Sequence, residues 1–172
     1  MGRAKMPRVR QTTWLDVLAD LPPHVESTGC DMGPTDLLIV AAGFEERAQA
    51  ILRSEWWPHP RETVIVEYPT NYEDNLTTKA AFEAASKSTT ILHYSKMSFV
   101  DKCRSIFIER AGLPDHRIVV DISGMSSYVF FTIMGTLVRF CEGARVTVFY
   151  AEAEEYFPTE AEMEGLRVEL GG

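Results

Sequence analysis

The three cysteines, Cys30, Cys103 and Cys141, stand far apart and form no C-x-x-C pair. So few, so scattered and odd in number, they exclude a disulfide framework and a cysteine zinc site, and they fit a reducing cytoplasm. His24, His59, His93 and His116 are equally isolated, without H-x-x-x-H spacing, and no metal site is expected. No G-x-S-x-G elbow occurs, which argues against a triad hydrolase. The N-terminus has no apolar signal core, and Met6 occupies the place where a myristoylation signal wants Ser or Thr. A membrane span is also missing. Between Ile118 and Val138 the only charge is Asp121, but Asp121, Ser123, Gly124, Ser126 and Ser127 break that window. About a dozen apolar-rich residues remain, short of the ~17–25 that cross a bilayer. A cytoplasmic protein with no membrane partner is expected.

Basic residues are scarce outside the first ten positions. The chain carries 17 Lys and Arg against 25 Asp and Glu, a net charge of -8. Arg3, Lys5, Arg8 and Arg10 make a basic arm, and without them 13 basic residues face 25 acidic ones, so residues 11–172 come to -12. A body this acidic repels a phosphate backbone and argues against broad nucleic-acid binding.

What is present is a regular alternation. After the arm, Thr13 caps a short helix that ends at Pro22-Pro23, and residues 24–35 form a loop. Five apolar runs then read as strands: Leu37–Ala42, Thr63–Tyr68, Thr90–Tyr94, Ile118–Ile122 and Val146–Ala151. Helical patterns lie between them at Phe44–Trp57, Glu73–Lys87, Ser98–Ala111 and Ser127–Glu142. This is the pattern of an α/β fold, a single Rossmann-like doubly wound domain over residues 36–152, with five parallel strands in the order 3-2-1-4-5. Residues 153–172 form an acidic extension. Its Leu166-Arg167-Val168-Glu169-Leu170 alternates like an edge strand, and the Gly171-Gly172 end reads as a boundary within a longer protein.

In such sheets ligands sit beyond the carboxyl ends of the strands. At the first strand end, Gly43 is the only glycine of a would-be G-x-G-x-x-G. Gly43 and Phe44 would place backbone against a phosphate, with Glu45 and Arg47 at the rim and Arg47 gripping an anion. The plainer alternative is that Gly43 only turns the chain. Glu67 lies 24 residues after Gly43, near the spacing at which an acid takes ribose hydroxyls, or else it faces solvent. Tyr68, Asn71, Tyr72 and Asn75 would stack on and bond a base, or simply cap a loop. At the fourth strand end, Asp121, Ser123, Gly124, Ser126 and Ser127 combine a carboxylate, a tight turn and helix-capping hydroxyls. Asp121, Glu45 and Glu152 together would crowd carboxylates for general acid work on a nucleotide, cleaving an N-ribosidic or phosphoester bond. The fourth helix is apolar almost all round, so a homodimer through residues 128–140 is expected.

The turn Asp121-Ile122-Ser123-Gly124-Met125-Ser126-Ser127 resembles the D-x-[ST]-G-G-x-K turn of CRISPR-associated Rossmann fold (CARF) domains. Those are nucleotide sensors of prokaryotic antiviral defence systems. Asp121, Ser123 and Gly124 match, whereas Met125 replaces the second glycine and Ser127 the lysine. The resemblance implies a dimeric sensor of a linear or cyclic nucleotide, coupled to an effector protein that this chain lacks. A nucleotide-processing hydrolase and a non-catalytic scaffold subunit are the other two readings.

Overall fold

A computed structural model describes residues 34–69, 73–111 and 115–152. The expected arm and capping helix, Asn71, Tyr72 and the acidic extension lie outside the described residues.

Five parallel strands form one sheet: β1 Leu37–Ala41, β2 Glu62–Glu67, β3 Thr89–His93, β4 Arg117–Asp121 and β5 Arg145–Phe149. Their order is β3-β2-β1-β4-β5, the order expected above. β1 is apolar on both faces because both are covered, and all five of its residues are buried. Leu37, Ile39 and Ala41 join Ile118 and Val120 under α3 (Phe99–Ala111) and α4 (Ser127–Phe140). Leu38, Val40 and Ala42 pack on the opposite face with α1 (Ala50–Arg53) and α2 (Glu73–Ala85). The chain reverses direction across the sheet between β1 and β4, so their carboxyl ends open the crevice described below.

Several elements depart from expectation. The helix expected over Phe44–Trp57 is a 3₁₀ turn, Glu46–Gln49, followed by the single turn of α1. Glu45 is extended (ψ 145°), which delays the start. At the other end Ser54 leaves the helical region (ψ 154°), its hydroxyl donating to the Ile51 carbonyl and accepting from the Trp56 amide. A serine that offers the backbone such bonds competes with helix continuation. The edge strands are less buried than their apolar sequences imply, and β5 is exposed along most of its length. β3 starts and stops one residue earlier than expected, and β5 ends at Phe149 rather than Ala151. α4 stops at Phe140, and Gly143, at φ 87°, makes the turn into β5 that L side chains rarely adopt.

Candidate functional site

The turn after β1 and the turn after β4 lie backbone against backbone. A methyl group on Gly43 would come within 3.0 Å of the Gly124 Cα, and one on Gly124 within 2.9 Å of the Ala48 Cβ and 3.0 Å of the Ala41 carbonyl oxygen. Neither side has room for a side chain. These two glycines floor a crevice of about 470 Å³, lined also by Phe44, Glu45, Arg47, Tyr68, Pro69, Asn75, Tyr94, Ser123, Met125 and Ser126. Its volume is in the range of small-molecule sites.

Each wall is fixed by a specific bond. The Tyr68 hydroxyl accepts from the Ser126 amide (2.8 Å) and donates to the Gly124 carbonyl (3.4 Å), tying the end of β2 to the turn after β4. Tyr94 packs against Tyr68, Phe99 and Tyr128, with ring centroids 5.7, 5.3 and 6.1 Å away, tilted to the first two and edge-on to the third. Ser126 caps α4, its hydroxyl accepting from the Val129 amide. The amino-terminal end of α4, the positive end of its dipole, therefore opens at the crevice. At the opposite rim Arg47 pairs with Glu45 and donates to the Tyr150 hydroxyl (3.3 Å).

Asn75 has a structural task. Its amide donates to the Ala42 carbonyl, fastening the first turn of α2 to the end of β1, which explains an otherwise unfavourable helix residue. Its Oδ1 is buried and without a hydrogen-bond partner.

Asp121 does not line the crevice. Alternation along β4 turns it away from α3 and α4, beside its neighbour Phe149, and only 2% of it is exposed. Oδ1 accepts from the Ser123 amide (2.9 Å), while Oδ2 has no partner. Burial raises its pKa to about 6, and the bonds to Ser123 only partly oppose that. Ser123 reaches the crevice wall, yet its hydroxyl accepts from the Ala151 amide (2.8 Å), anchoring the chain beyond β5. Asp121 and Ser123 thus build the turn.

Glu67 is likewise committed elsewhere. Its carboxylate binds Lys79 of α2 and His93 of β3, and the Lys79 ammonium holds it below the usual carboxylate range. It stands outside the lining of the crevice, as do Ser127 and Glu152, both exposed. The crevice brings together Gly43, Phe44, Glu45, Arg47, Tyr68, Asn75, Ser123, Gly124 and Ser126 of the residues expected there. The crowding of Asp121, Glu45 and Glu152 does not include a shared place on its wall, because only Glu45 lines it.

Three lining residues escaped the sequence reading: Pro69, Tyr94 and Met125. Tyr94 carried a signal, because it follows β3 directly just as Tyr68 follows β2. Among the described residues no three His, Cys, Asp or Glu side chains gather where a metal ion could be held. Burial pushes the Cys103 thiol up to about 12, so it is inert. No helix among the described residues is long and apolar enough to cross a membrane.

The chain is thus a Rossmann-like α/β domain with a crevice at its strand ends. No protein-family model and no curated protein sequence matches it.

Proposed function

We infer that the crevice binds a nucleotide and that the chain is a sensor or regulatory domain of a prokaryotic defence or signalling system. The observation that carries this is the floor of the crevice. Two glycines, Gly43 and Gly124, meet beside the start of α4, where close backbone approach and the positive end of the helix dipole favour a phosphate. Tyr68 and Tyr94 supply aromatic surface on the same wall for a base. The resemblance of the Asp121–Ser127 turn to defence-system sensors supplies the setting, with the signal passed to a separate effector protein.

Binding without turnover is favoured over hydrolysis. Asp121 is sealed behind the turn, and Glu45 is paired with Arg47. Neither is placed as an open general acid or base.

The test is a thermal-shift panel of ATP, NAD, ADP-ribose, cyclic dinucleotides and cyclic oligoadenylates on wild type and Ser126→Asp. Aspartate caps a helix as well as serine does, so the variant keeps its fold while placing a negative charge where the phosphate would sit. A ligand at a hundredfold its Kd adds ~2.7 kcal/mol, or about 5–10 °C for a chain of this size. A shift in wild type that is lost in Ser126→Asp is expected, with the ligand recovered intact. No shift with any compound, or an equal shift in both proteins, overturns the reading. Consumption of the bound nucleotide would transfer it to the hydrolase class.

A further inference from the structure

Of the twelve residues that line the crevice, only Glu45 and Arg47 carry a charge, and they hold each other. The two are anchored differently. The Arg47 side chain is 23% exposed, and its guanidinium lies 5.9 Å from the centre of the Tyr150 ring and donates to the Tyr150 hydroxyl (3.3 Å). Those contacts keep it at the rim without help from Glu45. The Glu45 side chain is 42% exposed. It stands at the N-cap of the 3₁₀ turn, where a carboxylate would ordinarily accept from a backbone amide, yet it makes no capping bond. Its backbone carbonyl accepts from the Ala48 amide instead (2.9 Å). The Glu45 carboxylate is thus an anion laid on a cation at the mouth of a cavity, and no helix end depends on it.

We propose that this carboxylate stands in for a second anionic group of the ligand, which displaces it from Arg47. The crevice then takes a nucleotide with two phosphates, one at the start of α4 and the other on Arg47. This rests on the nucleotide reading and narrows it.

The two anchoring points belong to one narrow crevice. Gly43 and Gly124 leave no room for a methyl group between them, and Arg47 and Ser126 follow them by four and two residues. The residue after Tyr150, Ala151, is itself tied to the turn of Ser126 by its bond to the Ser123 hydroxyl. Charge limits the number of phosphates. In a chain of net charge -8 a phosphate without a nearby cation is repelled. Arg47 can answer one such group with a forked, charge-assisted grip, and a third phosphate would find no cation on the wall. Displacing Glu45 costs little, because an ion pair this exposed is worth no more than about fivefold in affinity.

Isothermal titration of the full chain with AMP, ADP and adenosine 3′,5′-bisphosphate tests the proposal. The last two carry their second phosphate next to the first or across the ribose from it. At least one of them should bind about fivefold or more tighter than AMP. Glu45→Gln removes the competing charge while keeping the side chain's length and the backbone bond, and should widen that preference about threefold. Arg47→Gln should erase it. Because Arg47 also packs on Tyr150, urea unfolding checks that variant, and the comparison of wild type with Glu45→Gln stands without it. AMP binding as tightly as both two-phosphate compounds overturns the proposal and leaves the nucleotide reading intact. So does a preference that Glu45→Gln narrows or leaves unchanged. Failure of all three compounds to bind also overturns it, and only a silent thermal-shift panel takes the nucleotide reading down with it.

Discussion

Replacing Gly124 by alanine adds one methyl group at the floor of the crevice, and its cost can be worked from the neighbours it would meet. The new carbon would lie 2.9 Å from the Ala48 Cβ and 3.0 Å from the Ala41 carbonyl oxygen. Comfortable contacts between carbon atoms begin near ~3.5 Å. Ala41 is the last residue of the fully buried β1, so its carbonyl has no freedom to retreat. Ala48 belongs to the short 3₁₀ turn and is itself buried. Overpacking of this kind costs about 1–3 kcal/mol, or a fall in Tm of about 3–10 °C for a chain of this length. The same substitution at Gly135, where the Cβ meets nothing, should instead stabilise. Removing a glycine from a helix interior gains about 1 kcal/mol. Adding Ala48→Gly to Gly124→Ala should recover only part of the loss, because the clash with Ala41 remains. Thermal and urea unfolding of the four proteins measures these differences. A Gly124→Ala variant as stable as wild type would refute the backbone-to-backbone packing on which the crevice depends.

Two further outcomes follow from the same surroundings. Asp121 is raised from 3.8 to about 6 by burial, so between these values the folded chain holds a proton that the unfolded chain has lost. Its contribution is therefore most favourable below about pH 4 and is lost as the pH rises through about 6, a change of at most about 3 kcal/mol. Asp121→Asn keeps an acceptor for the Ser123 amide and removes the charge. The variant should gain on wild type above pH 6 and show a flatter profile in urea unfolding at pH 4 and pH 8. Parallel profiles would show that burial of this carboxyl is not what sets its titration. Tyr68→Phe removes the hydroxyl that joins the Ser126 amide to the Gly124 carbonyl. Losing about 1 kcal/mol there should speed hydrogen exchange of the Ser126 amide about fivefold, whereas unchanged exchange would mean that the tyrosine does not hold the turn.

The sequence was most informative where the chemistry of one segment leaves a single solution. Leu37–Ala41 and Ile118–Val120 are apolar at every position, and only a strand covered on both faces buries such a run. Alternation of strands with helical patterns then set the parallel sheet, whereas its order, one of two common in doubly wound sheets, was decided by the tertiary structure. The exposed edge strands were harder, because apolar composition says nothing about whether a neighbour exists to cover it. The first helix was overread for a related reason. Phe44, Ala48, Ile51 and Leu52 keep helical spacing, but the Ser54 bonds that end α1 are a competition between local geometries that the spacing does not record.

Strand ends determined by themselves that Gly43, Tyr68, Gly124 and Ser126 would gather at one rim, since every parallel strand delivers its carboxyl end to the same side of the sheet. Which neighbours face the crevice was decided by tertiary structure alone. Adjacent residues of a strand point to opposite faces, so Asp121 and Glu67 were carried away from the crevice while Tyr68 and Tyr94 were carried into it. The burial that raises Asp121, the Lys79 contact that lowers Glu67 and the methyl-sized gap missing between Gly43 and Gly124 all depend on distances between segments remote in the chain. A sequence specifies those distances only through the packing of the whole core.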